Sequence, residues 1–151
     1  MALLDRLNVH SVSGFDVRRH VAGIVAHHLT PHAFDKSPTP VGDGAFRRLA
    51  QKVDLELLSR VAKSDCLGRT GGFDCSGIDR FLERARRLGV EHAAPAPLVL
   101  GRHLLGLGVP PGPRMGEILR QIYERQIDGH VATLEEGLDV AREILRGDRG
   151  S

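Results

Sequence analysis

A chain of 151 residues, 41% of them hydrophobic, has room for one domain or two small helical subdomains around a buried core. Aromatics make up only 4%, with no Trp and one Tyr, so the core has to be Leu, Val, Ile and Ala, and recognition by stacking on aromatic rings is disfavoured. The formal charge of +2 excludes net charge as an argument for a polyanionic partner, and any such contact must come from local clusters.

Apolar residues recur at three and four positions with no convincing alternating strand, which predicts an all-α protein, a helical array of about seven to eight helices in two packed subdomains. Leu3, Leu4 and Leu7 suggest a short opening helix, uncapped at Ala2, that reads like the continuation of something upstream. Val17, Val21, Ile24, Val25 and His28 form one face of a helix over about 15–29, stopped by Pro31, and 34–44 is a loop with its Pro and Gly breakers. Asp43 can cap a helix whose Phe46, Leu49, Ala50 and Val53 face inward. Asp54 begins another that runs to about Cys66, with Leu57, Leu58, Val61 and Ala62 at helical spacing. After a flexible break at 68–72, Ser76 caps a helix carrying Ile78, Phe81, Leu82, Ala85 and Leu88, and Gly89 ends it.

Residues 91–96 read as a linker between a subdomain at 1–90 and a second at 97–147, with 148–151 disordered. In the second, a first helix can end at Gly108 in a left-handed conformation, and Pro113 suits the first turn of the next, where its missing N–H is not needed. That helix, about 114–128, is lined by Ile118, Leu119, Ile122, Tyr123 and Ile127. Thr133 with Glu136 is a capping box for a last helix with Leu138, Val140, Ala141, Ile144 and Leu145 inward.

Three cationic clusters and one helix end stand out as candidate phosphate contacts. Arg18 and Arg19 are adjacent, Arg47 and Arg48 are adjacent with Lys52 a turn later, and Arg80, Arg84 and Arg87 repeat along one face. The turn from Gly112 to Gly116 opens a helix with backbone N–H groups, beside Arg114 and with Arg102 in the preceding helix, an arrangement that holds anions. Such stripes could follow an RNA backbone, binding by shape and weakening steeply with salt. The same charges also suit solvated helix faces, with Asp79 and Glu83 partly neutralising the third cluster.

Cys66 and Cys75 have Gly68, Gly71 and Gly72 between them, enough freedom for the chain to fold back and bridge them. Residues 1–30 carry Asp5, Arg6, Arg18 and Arg19 and no apolar run of signal-peptide kind, which favours a cytoplasmic, reduced protein. Two Cys are too few for a four-ligand zinc site without His, and no span approaches the length needed to cross a bilayer, so no membrane partner is expected.

Three successive pieces resemble the C-terminal half of bacterial class II tRNA nucleotidyltransferases, the CCA-adding enzymes and poly(A) polymerases. They are Val25-Ala-His-His-Leu-Thr-Pro-His32; Ala45-Phe-Arg-Arg-Leu-Ala-Gln-Lys-Val53 with Leu57 to Gly68; and Gly101 to Leu119 with Gln126-Ile-Asp-Gly129 and Thr133-Leu-Glu-Glu136. The resemblance implies an RNA-binding body and tail that hold a tRNA or another RNA 3′ end for a nucleotidyltransferase head, in cis or as a separate chain. The family's head carries a Gly-Ser pair and an Asp-x-Asp pair for two metal ions; here the only Gly-Ser is Gly150-Ser151 and no Asp-x-Asp occurs. This chain alone is therefore not expected to polymerise nucleotides, and Mg and the nucleoside triphosphate would belong to the missing head.

Many members also carry an HD-type phosphohydrolase-like region, and Asp65 falls where that pattern has its closing aspartate. With His27, His28 and His32 it would supply part of a divalent-metal site, although no His here is followed by Asp. Two other readings compete with the RNA-holding one: a metal-dependent phosphohydrolase using His27, His28, His32 and Asp65, and a helical interaction module with no nucleic-acid role.

Overall fold

The computed structural model describes Arg6, Ser11–Val12 and residues 15–148. The expected opening helix around Leu3, Leu4 and Leu7 lies outside the described residues. A two-residue antiparallel ladder pairs β1 (Ser11–Val12) with β2 (Phe15–Asp16), Ser11 opposite Asp16 and Val12 opposite Phe15. Two residues per strand show no period, so the alternation of the sequence carries no trace of it. From there the chain is all-α: α1 (Val17–His27), α2 (Thr30–Asp35), α3 (Asp43–Ala50), α4 (Leu55–Gly68), α5 (Ser76–Arg87), α6 (Gly101–Gly106), α7 (Pro113–Asp128) and α8 (Leu134–Asp148). These fall into two compact units divided between Ala94 and Pro95.

In the first unit, the Asp16 carboxylate caps α1 by accepting the Arg19 N–H at 2.9 Å. α1 ends at His27, short of the expected 29, and buries no residue fully; Ile24 packs on the core while Val25 is exposed. Pro31 does not stop a helix. It lies in the first turn of α2, where a missing N–H costs nothing, and the loop shrinks to 36–42. α2 thereby brings Phe34 edge-on to Phe46 at 5.2 Å and to Phe81 at 5.8 Å, while Phe46 and Phe81 stack at 4.9 Å. Each such pair adds about 0.5–1.5 kcal/mol beyond its buried area, so three of the few aromatics are concentrated at one point.

α3 buries Phe46, Leu49 and Ala50, but Gly42 occupies its cap and Asp43 is its first residue. α4 is capped by Asp54, whose carboxylate accepts the Leu57 N–H at 2.8 Å. Its inward face is Leu55, Leu58, Ser59 and Ala62, which leaves Val61 exposed, and it runs on to Gly68. Ser59 tolerates burial because its hydroxyl donates to the Leu55 carbonyl at 2.7 Å. Cys66 and Cys75 form a disulfide across a Cα separation of 6.1 Å, where reduced thiols were expected. The return is made by Gly71 and Gly72, both at positive φ, and it delivers Cys75, not Ser76, to the cap position of α5.

In the second unit, α6 ends as its sequence predicts. Gly108 takes φ +82°, and the Val109 and Gly108 N–H groups donate to the Leu104 and Leu105 carbonyls at 3.0 and 2.9 Å. Pro113 opens α7, and the core gathers Val99, Leu104, Ile118, Ile122, Val131 and Ala141. Buried Gln126 ties the segment before α6 to α7: its Oε1 accepts the Leu98 N–H at 3.0 Å and its Nε2 donates to the Ala96 carbonyl at 2.8 Å. The Thr133–Glu136 capping box forms, with both reciprocal bonds at 3.2 Å. α8 reaches Asp148, so disorder does not begin there; 149–151 lie outside the described residues.

Candidate nucleic-acid interface

The positive charge sits in the first unit. Residues before Pro95 include 14 Lys and Arg against 11 Asp and Glu, and those from Pro95 on include 7 against 8. Arg18 and Arg19 occupy the first turn of α1, Arg47 and Arg48 the last turn of α3, and Lys52 the turn that follows. Arg47 and Arg48 there face the negative end of the helix dipole, which stabilises the helix whatever else they do. Close backbone contact joins the two groups, since a Cβ on Gly23 would come within 2.9 Å of the Lys52 carbonyl oxygen. As a result Arg19, His20 and Lys52 line one shallow depression of about 80 Å³ between α1 and the turn after α3. Arg19 and Lys52 are both exposed. One cation from each of two clusters nearly thirty positions apart in sequence thus meets the other at this depression, which Asp54 also lines.

The third cluster is arranged differently. Arg80 directs Nε and Nη2 to Asp35 Oδ1 at 2.9 and 2.7 Å and Nη1 to the Ser76 hydroxyl at 2.8 Å. The Asp35 hydrogen bond is the main reason its guanidinium is held even more firmly in the charged form than usual. Arg84 Nη2 meets Asp43 Oδ1 at 2.7 Å, and its Cζ lies 4.9 Å from the centroid of Phe46. Arg87 is exposed near the end of α5. The main partners are Asp35 and Asp43, more than 40 positions upstream; the charge of neighbouring Asp79 adds to the hold on Arg80 while its carboxylate pairs with Lys63. No sequence spacing pointed to these pairings. The nearest hint was Gly77 in the first turn of α5, where a Cβ would run into the Asp35 side chain at 2.4 Å.

In the second unit, Gly112 is the cap residue of α7 and Arg114 its second helical residue. The start of α6 meets the first turn of α7, because a Cβ on Gly101 would lie 3.3 Å from Met115 Sδ, so Arg102 and Arg114 share one end of the hairpin. Arg114 also faces a carboxylate. Glu117 is held below the usual carboxyl range, chiefly by hydrogen bonds from Arg120 and Gln121, with the charge of Arg114 contributing. That carboxylate reduces the positive character of the hairpin.

The candidate metal residues come partly together. His28, His32 and Asp65 line one cavity of about 210 Å³, with Cys66 and Phe73, whereas His27 is not part of its lining. His28 Nδ1 lies 2.9 Å from the Val25 carbonyl at the end of α1, and Asp65 is bonded to Arg69 at 2.6 Å. Among the described residues no three His, Cys, Asp or Glu side chains are placed to hold a metal ion together. Nor is any helix among them long and apolar enough to cross a membrane.

No protein-family model and no solved structure matches the chain. Among curated proteins, it is 32% identical over 141 residues to the A-adding tRNA nucleotidyltransferase of Deinococcus radiodurans. The match takes in 89% of this chain and 30% of that enzyme, so the chain spans under a third of its relative's length. Over most of its length, then, this all-α chain is similar to a portion of a tRNA nucleotidyltransferase.

Proposed function

We propose that the chain is the RNA-holding helical part of a tRNA nucleotidyltransferase-like protein, equivalent to the family's C-terminal half, and works in the cytoplasm. It grips a tRNA or another RNA 3′ end while a catalytic head, in cis or as a separate chain, adds nucleotides. The observation that carries this reading is the similarity of most of the chain to a portion of an enzyme named for adding A to tRNA. Adenosine addition is accordingly the reaction in which it takes part. The residues assigned to RNA are Arg18 and Arg19 on α1, Arg47 and Arg48 on α3 and Lys52 in the turn after it, with Arg102 and Arg114 in the second unit. Arg80 and Arg84, held by their aspartates, contribute less to long-range attraction. Contacts of this kind are made to phosphates and read shape.

Fluorescence anisotropy of labelled tRNA, measured at low and at high salt, tests the reading. Micromolar or tighter binding that falls with salt supports it, and no binding at low salt refutes it for this chain. A second reading, a metal-dependent phosphohydrolase, has in its favour that His28, His32 and Asp65 share a cavity. Stoichiometric transition metal in the purified protein would be its signature.

A further inference from the structure

A cavity of about 310 Å³ opens between the 36–42 loop and α5, with Phe34 and Phe46 beneath it. That volume lies at the lower end of the range of about 300–1,000 Å³ typical of small-molecule sites. Two arginines line it, yet its charge is balanced: Arg80 is committed to Asp35 and Ser76, and Arg84 is matched by Asp43. Balanced charge is poor chemistry for a phosphate and good chemistry for a neutral polar ligand.

Arg84 favours a flat one. Arg84 is held over the Phe46 ring and lines the cavity, and a fixed guanidinium plane is a surface on which an unstacked base can lie. Hydrogen-bonding residues are part of the lining. The Ser37 hydroxyl donates to the Thr39 carbonyl at 2.6 Å, which leaves its oxygen able to accept from a ligand's amino group, and Thr39 is itself a lining residue. Pro38 and Pro40 restrict the loop's backbone before any ligand arrives. Gly77 lets Asp35 sit against α5, which sets the position of Arg80.

We propose that this cavity takes a single unstacked nucleobase with its ribose, stacked on the Arg84 guanidinium. The base comes either from the single-stranded end of a bound RNA, which presupposes the function proposed above, or from a free nucleoside.

The test has two arms. In the first, isotope-labelled protein is titrated with adenosine, cytidine and inorganic phosphate separately and followed by NMR. A nucleoside is expected to shift the amides of Thr39, Val41 and Gly77, and phosphate is expected to leave them in place. Arg84→Lys keeps the charge and loses the plane, and should weaken nucleoside binding by about tenfold, the worth of one stacked base. In the second, a single-stranded oligonucleotide ending in 2-aminopurine reports stacking by fluorescence and binding by anisotropy. A fluorescence change with the wild type that is lost with Arg84→Lys, while anisotropy persists, assigns the RNA end as the source. Nucleoside shifts with a silent 2-aminopurine assign the free nucleoside. Absence of nucleoside shifts at millimolar concentration, or equal shifts from phosphate, overturns the proposal. Loss of anisotropy binding alone refutes the RNA-holding function and leaves the nucleoside titration to decide the cavity.

Discussion

Asp54 serves two neighbours with one carboxylate, and two substitutions separate them. Oδ1 caps α4 by accepting the Leu57 N–H at 2.8 Å, and Oδ2 lies 3.0 Å from His92 Nδ1. His92 Nε2 is also 3.5 Å from Glu56 Oε2. The Asp54 hydrogen bond first, then the charges of Asp54, Glu56 and Glu91, raise His92 above its ordinary value of 6.5. A group raised on folding stabilises fully below its unfolded value, and the contribution fades as pH rises through the folded one. Asp54→Asn keeps a capping oxygen and discards the charge. It should melt close to the wild type at about pH 8.5 and below it at about pH 5.5, where His92 is charged. Asp54→Ala loses the cap as well, a cost of about 1 kcal/mol at both pH values. For a unit of this size that is roughly 4–8 °C in Tm. Thermal melts of the three proteins at both pH values are the assay. The reasoning is refuted if Asn and Ala melt together at high pH, or if the Asn deficit is the same at both.

Replacing Arg19 and Lys52 together by Ala removes two cations from one depression, and should flatten the logarithmic salt dependence of tRNA binding by about 1.4–1.8; an unchanged slope would take that surface off the RNA. Arg84→Ala, whose charge is already matched by Asp43, should leave the slope nearly unchanged in the same titration. Gln126→Leu leaves the half-buried Leu98 N–H without its acceptor and should cost about 1–3 kcal/mol in denaturant unfolding; a smaller loss means that water replaces the amide. Opening the Cys66–Cys75 link with a dithiol frees a loop whose ends are nine positions apart, and should lower stability by about 2–3 kcal/mol on chain-entropy grounds, read as a shift in melting between oxidised and reduced samples.

The helical architecture was legible because it is written in local terms. Apolar spacing, the Asp54 and Thr133 caps and the glycine stop at Gly108 act within a turn or two, and the structure uses them as read. The misreadings have local causes as well. Pro31 reads as a stop although proline equally opens a helix, and on α4 the apolar pattern points to Val61 where the structure buries Ser59, because a serine that bonds its own helix gives no apolar signal. The site was less legible, since its key relations are distant. Nothing in the sequence says that Arg80 answers to Asp35, or that α1 and the turn after α3 meet at Gly23. The cationic clusters were visible singly; which of them join, and which are already neutralised, is decided by packing.

Hydrogen–deuterium exchange with and without tRNA at low salt, repeated at high salt, tests most directly whether this chain holds RNA and where. The account predicts slowed exchange in the first turns of α1 and through the end of α3 to Asp54, reversed by salt, with weaker protection at the start of α7. Unchanged exchange across both surfaces in the presence of saturating tRNA, or protection confined to other helices, would contradict it.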